Sequence, residues 1–193
     1  MENFVITIAR GFGSGGKTMG KMLAEELHVN YYDKELAKLA SEDSGIHEGL
    51  FGIADEKVKH SLFQKKSDLT SEDSLFAFQA ETIRKLAKSE SCIIVGRCAD
   101  YVLKGYPNLV RVFIYADREA CIREVMERFH LSEKEAAKKI ETVDKERSAY
   151  YKHHTGREWE NAMNYDLCLN SGELGFEKCM EIIKGYMKVR FGQ

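Results

Sequence analysis

Residues 6–23 read ITIARGFGSGGKTMGKML. An apolar, β-branched run gives way to four glycines, Gly11, Gly13, Gly15 and Gly16, after which a lysine and a threonine open a helical pattern. Two phosphate-binding templates fit this stretch. Gly11-x-Gly13-x-x-Gly16 has the spacing of a dinucleotide fingerprint, and Asp33 ends the next apolar run where a ribose-binding acid belongs. The longer run from Gly11 to Lys17-Thr18 also completes G-x-x-x-x-G-K-[ST], which specifies more residues. Only the second template gives its last two residues work. Glycine lets backbone N–H groups turn inward around a phosphate, Lys17 reaches the β and γ oxygens, and the Thr18 hydroxyl ligates Mg2+. Without an anion nearby, a lysine in the first helical turn opposes the helix dipole.

The rest of the chain determines what such a loop is mounted on. Apolar runs at 4–9, 29–32, 92–95, 110–115 and 166–170 alternate with segments of helical periodicity, the pattern of a parallel sheet. Ile93-Ile94-Val95 and Val112-Phe113-Ile114 are continuously apolar, as strands covered on both faces must be. The expected fold is therefore α/β, a five-stranded parallel sheet with helices on both faces in three layers. Helices are expected over 71–90, around Ile122, Val125 and Phe129, from the capping box Ser132-x-x-Glu135 toward Tyr150, and through Phe176, Met180, Ile183 and Met187. The polar stretches 36–90 and 128–160 are too long for connections and read as helical insertions in one folding unit over 1–193.

Composition excludes several function classes. A formal charge of −2 over 193 residues creates no global field for a nucleic-acid polymer or an anionic membrane, so anion binding must come from locally placed cations. Five cysteines without a C-x-x-C pair suit reduced thiols. No apolar stretch approaches the roughly 18 residues of a membrane span, and the first residues lack a signal-peptide pattern, so a cytoplasmic location is expected.

What faces the terminal phosphate separates a switch from a kinase. Gly96-Arg97 directly follows the third apolar run, which puts Arg97 on the rim where open α/β sheets bind ligands, unless it forms a surface salt bridge. Asp33 ends the second run on the same rim, with a magnesium or substrate role competing against a helix N-cap. Asp144-x-x-Arg147 places a carboxylate and a guanidinium on one helical face, so that Asp144 can fix Arg147 while it points at a phosphoryl group. His153 and His154 are set aside as metal ligands, because adjacent helical residues point about 100° apart and no cysteine or carboxylate cluster accompanies them. Cys98 lacks a histidine at usable spacing and reads as buried filler.

Five stretches carry a resemblance: ITIARGFGSGGKTMGKMLAEEL, YYDKEL, CIIVGRCADYVL, DKERSAYYKHHTG and NYDLCLNSG. Together they resemble the nucleoside monophosphate kinases, and within them the cytidylate kinase-like proteins of bacteria. The resemblance implies an ATP-dependent phosphotransferase with ATP and Mg2+ as cofactors and small nucleotides, CMP foremost, as substrates. It implies that Gly11, Gly13, Ser14, Gly15, Gly16, Lys17 and Thr18 bind ATP, with Thr18 and Asp33 on the metal. Lys17, Arg97, Asp144 and Arg147 would be catalytic, the last two on a lid over 128–160. Asp33, Gln79, Arg84 and Arg97 would meet the acceptor beside the 36–90 lobe, and Asn170-Ser171-Gly172 would border adenine. Cys98, Tyr115 and Ile140 depart from the family pattern, which places an acid, a small hydroxyl residue and a phosphate-binding arginine there. These departures bear on acceptor choice more than on transfer. A nucleotide-binding regulatory protein without transfer and an NAD-dependent oxidoreductase stay open as other readings.

Overall fold

A computed structural model describes residues 3–45, 47 and 72–192; residues 48–71, in the middle of the expected 36–90 lobe, lie outside it. Five strands form one sheet: β1 (Val5–Arg10), β2 (Asn30–Tyr32), β3 (Cys92–Val95), β4 (Leu109–Tyr115) and β5 (Leu167–Asn170). All pair in parallel, in the order β2-β3-β1-β4-β5. That order separates the two loop templates. In the dinucleotide fold the second strand lies beside the first. Here β1 lies between β3 and β4, with Ile8 in register with both Val95 and Val112.

The expected strands hold to within a residue. β1 runs on to Arg10, and β5 begins after Asp166, whose carboxylate accepts the Arg111 N–H at 2.8 Å where a further strand pair would form.

Alternation along β1 supplies the two cores. Ile6 and Ile8 join Ile93 and Val95 under α1 (Gly16–Leu27) and α7 (Ser171–Phe191), through Met19, Leu23, Cys179 and Ile183. Val5, Cys92 and Ile94 face the opposite way, against Leu36 of α2 (Glu35–Ser44) and Ile83 and Ala87 of α3 (Glu72–Ser89). Each fully buried isoleucine or leucine contributes about 1.5–3 kcal/mol relative to exposure, so the sheet is stabilised from both sides. A short helix, α4 (Ala99–Val102), follows β3.

The long polar segment after β4 forms α5 (Arg118–Phe129) and α6 (Glu133–Thr155), the latter opened by the expected capping box at Ser132 and Glu135. α6 has two anchors. Ala136 and Ile140 pack on Cys121 and Val125 of α5 and on Phe12. Tyr150 and Tyr151 pack with Trp159, Tyr165 and Phe113 over the end of β1 at Ala9. The isoleucine at 140 is thus a packing residue.

Candidate active site

The glycine loop links β1 to α1 at the carboxyl edge of the sheet, where connections from β1 and β4 leave in opposite directions, the place at which α/β sheets bind ligands. Gly15 is the N-cap of α1 at φ 73°, and a Cβ there would collide with the Phe176 ring. The first helical bond of α1 runs from the Met19 N–H to Gly15 O at 2.9 Å, so the N–H groups of Gly16, Lys17 and Thr18 precede the helical ladder. Side chains brace the loop from behind. The Ser14 hydroxyl lies 2.9 Å from Gly11 O and 3.1 Å from Ile114 O, and the Ser171 hydroxyl donates to Ser14 O at 2.7 Å.

Charges meet at Asp33. Lys17 Nζ lies 2.6 Å from Asp33 Oδ2, and Arg10 Nη2 lies 4.0 Å from Asp33 Oδ1. Asp33 does not cap α2, whose N-cap is Lys34, so its buried carboxylate turns toward the loop. Asp33 Oδ1 is buried without a hydrogen-bond partner and is a hard oxygen donor of the kind Mg2+ takes, whereas Thr18, the other expected ligand, is exposed at the start of α1 and does not line the loop cavity.

Behind Asp33, the turn after β3 holds Gly96, Arg97 and Cys98 at φ 76°, 60° and 53°, three successive left-handed residues of which two carry side chains. Such conformations cost about 1–3 kcal/mol each for non-glycine residues and gather at functional sites. The turn aims Arg97 inward, where its Nη1 donates to Oε1 of the fully buried Gln79 at 3.4 Å. A Cβ on Gly96 would collide with Arg10 Nη1, so this glycine is where the Arg10 side chain passes. Tyr151 donates to Asp100 at 2.6 Å beneath the turn, and burial pushes the Asp100 carboxyl above its ordinary range.

α6 docks on the loop through Asp144 and Arg147. Asp144 Oδ1 accepts the Phe12 N–H at 2.8 Å and lies 3.3 Å from Arg147 Nη1, which donates to Arg10 O at 3.1 Å. Burial raises the Asp144 pKa, with Arg147 and the Phe12 amide opposing. A cavity of about 320 Å³ lies over the loop between Gly13, Lys17, Asp33 and Arg128. A crevice of only about 30 Å³ adjoins it between Arg97, Cys98, Tyr150 and Trp159. Arg10 and Arg147 line both.

Some expected residues stand elsewhere. Arg84 lies on the outer face of α3, half exposed and 3.8 Å from Glu81, and lines a separate hollow with Val102 and Tyr106. Asn170 caps α7, accepting the Gly172 N–H at 3.0 Å. Tyr115 is exposed at the end of β4, and Cys98 is buried in the aromatic cluster. One residue escaped the sequence reading: Arg10, the charged end of the apolar β1 run, is 5% exposed and its Nε is buried without a hydrogen-bond partner. The reason given against a histidine metal site also fails, because the fold carries Asp73 of α3 to His153 and His154.

A sequence model of the cytidylate kinase-like family matches residues 5–173. The chain is similar to the crystal structure of an uncharacterized protein from Eubacterium ventriosum ATCC 27560, with TM-score 0.77 and 29% identity over 97% of this chain and 100% of that one. A shikimate kinase from Bacteroides thetaiotaomicron matches with TM-score 0.57 and 15% identity, covering 96% and 98% of the two chains. A shikimate kinase from Acinetobacter baumannii in complex with shikimate matches with TM-score 0.51 and 14% identity, covering 95% and 94%. At these identities the two kinases establish the shared fold. No curated protein matches the sequence. No helix among the described residues is long and apolar enough to cross a membrane.

Proposed function

The chain belongs to the cytidylate kinase-like family, and from that premise we propose that it moves the γ-phosphoryl group of ATP to a small anionic acceptor, with a nucleoside monophosphate such as CMP as the first candidate. One observation carries this reading. Lys17 and the buried Arg10 lie against Asp33, and the half-buried Arg147 reaches the loop at Arg10 O, on the boundary between a phosphate-sized cradle and the crevice that Arg97 enters.

Phosphoryl transfer needs little covalent help from a protein. Charge spreads over the transferred oxygens, so alignment and preorganised cations supply most of the acceleration. Lys17 and the loop amides hold the donor phosphates, Arg97 orients the acceptor with Gln79 behind it, and Arg147 neutralises charge between them while Asp144 fixes its position. Ser171 acts through the loop backbone. Bound Mg2+, held by Thr18 and Asp33, would screen the phosphate oxygens. An acceptor phosphate is already ionised, so no general base is required.

The 128–160 segment serves as the lid, and the 36–90 segment as the acceptor lobe of a single 1–193 unit. The crevice is far below the roughly 300 Å³ of a small-molecule site, so acceptor access requires α6 to lift from the loop. Lid closure also keeps water from the γ-phosphate. Assaying ADP release with ATP, Mg2+ and each common monophosphate, alongside small alcohols, tests the proposal. Acceptor-dependent release is expected with at least one monophosphate, and Lys17→Ala abolishes it while leaving the fold intact by circular dichroism. Tight ATP binding with no acceptor-dependent release would instead identify a regulatory binder.

A further inference from the structure

We propose that Asp73, His153 and His154 form a binding site for one divalent ion of the zinc type, joining the last turn of α6 to the first turn of α3. The inference does not rest on the phosphotransfer reading. His153 Nε2 lies 3.2 Å from Asp73 Oδ1, His154 Nδ1 lies 3.9 Å from the same oxygen, and the three candidate ligand atoms all fall within 4.8 Å of one another. With metal–nitrogen and metal–oxygen bonds of about 2.0–2.2 Å, the edge of a tetrahedral site is about 3.3–3.6 Å. A small contraction of the cluster brings all three atoms onto one ion.

Neighbouring helical side chains diverge by about 100°, and the two rings overcome this by using different nitrogens. His153, half exposed, reaches across with its distal Nε2, whereas His154 presents the proximal Nδ1. The His154 side chain is only 2% exposed, so Nδ1 is held in place. It stacks on Phe76 at 4.1 Å and meets the Tyr150 ring edge-on at 4.4 Å. Coordination through Nδ1 would fix the ring as the Nε2–H tautomer, with that N–H turned into the aromatic packing. Both histidines sit in the last turn of a 23-residue helix, whose negative dipole end favours a cation. Asp73 is 82% exposed, so solvent can complete the fourth position.

The bound ion would pin the carboxyl end of the lid helix to the helix that carries Gln79.

The test uses the full chain, free of metal and nucleotide and kept reduced. Titration with Co2+ should give the visible absorption of a four-coordinate site saturating at one ion per chain, and Zn2+ should displace it. Asp73→Asn and His153→Ala change exposed positions and preserve the fold. Each should weaken binding by more than the roughly 10–100-fold typical of an outer-shell partner. Cys168→Ser, which removes the exposed thiol, should leave binding unchanged. Absence of saturable binding would overturn the proposal, as would Co2+ binding that persists in both ligand variants or vanishes with Cys168.

Discussion

Replacing Arg10 with methionine should stabilise the protein and cripple it at once. The Arg10 side chain is 7% exposed, and its nearest carboxylate oxygen, on Asp33, stands 4.0 Å away while Lys17 already holds that carboxylate at 2.6 Å. Nε has no hydrogen-bond partner. A guanidinium so poorly compensated gives back little of its desolvation cost, Lys17 keeps the Asp33 carboxylate paired without it, and exchanging a buried ion pair for apolar groups of similar volume is often neutral or gains about 1–4 kcal/mol. Taking the lower half of that range because a cavity adjoins the group, Arg10→Met should add about 1–2 kcal/mol. For a chain of this length that raises Tm by about 2–8 °C. The same guanidinium faces both the loop cavity and the smaller crevice beside Arg97, where an anion would complete its bonding. Losing a hydrogen bond to a charged group costs about 1.5–3 kcal/mol, or about 10–150-fold in kcat/KM. Thermal melts with and without phosphate, together with steady-state kinetics, give both numbers. Phosphate should stabilise the wild type more than the variant. A variant with lower Tm and unchanged kcat/KM would refute the reasoning and make Arg10 a structural residue.

Two other substitutions probe the frame of the site. Gly15→Ala puts a Cβ at φ 73° and against the Phe176 ring, so a loss of about 2–4 kcal/mol and of ATP binding is expected; an unaltered urea midpoint would contradict this. Asp166 lies under β5: burial works against its charge, but the Arg111 side-chain bonds at 2.8 and 3.1 Å and the Arg111 N–H outweigh it and hold the pKa below the usual range. A depressed carboxylate pKa stabilises the fold above its unfolded value near pH 4, and that contribution fades as pH falls through the folded value. Asp166→Asn should cost about 2–3 kcal/mol at pH 7 and almost nothing at pH 2, flattening the acid limb of a urea-midpoint profile. Equal losses at both pH values would rule the explanation out.

The sheet was legible because strands covered on both faces must be continuously apolar, and its ends blurred only where side-chain chemistry intervened, at Arg10 and Asp166. The loop was legible because its glycines, lysine and threonine are local. Arg97 and the Asp144–Arg147 pair followed from strand ends and helix spacing. Arg84 shows the opposite case: five residues beyond Gln79 on one helix, it lies about 140° around the axis from that buried side chain, so helical geometry already placed it outside. Ile140 reads as a lost phosphate contact until the packing of α5 against α6 is seen. Asp73 meets His153 across 80 residues of sequence, a contact that no periodicity reveals.

The central claim is that the glycine loop delivers the terminal phosphoryl group of ATP across the Arg10–Arg147 boundary to an anion. Following the γ-phosphorus label of ATP in the presence of Mg2+ and a monophosphate measures this directly. The label should appear in the diphosphate product with the wild type and stay on ATP with Lys17→Ala. Label that remains on ATP with every acceptor, or that emerges only as inorganic phosphate at a rate indifferent to acceptor, would contradict the account.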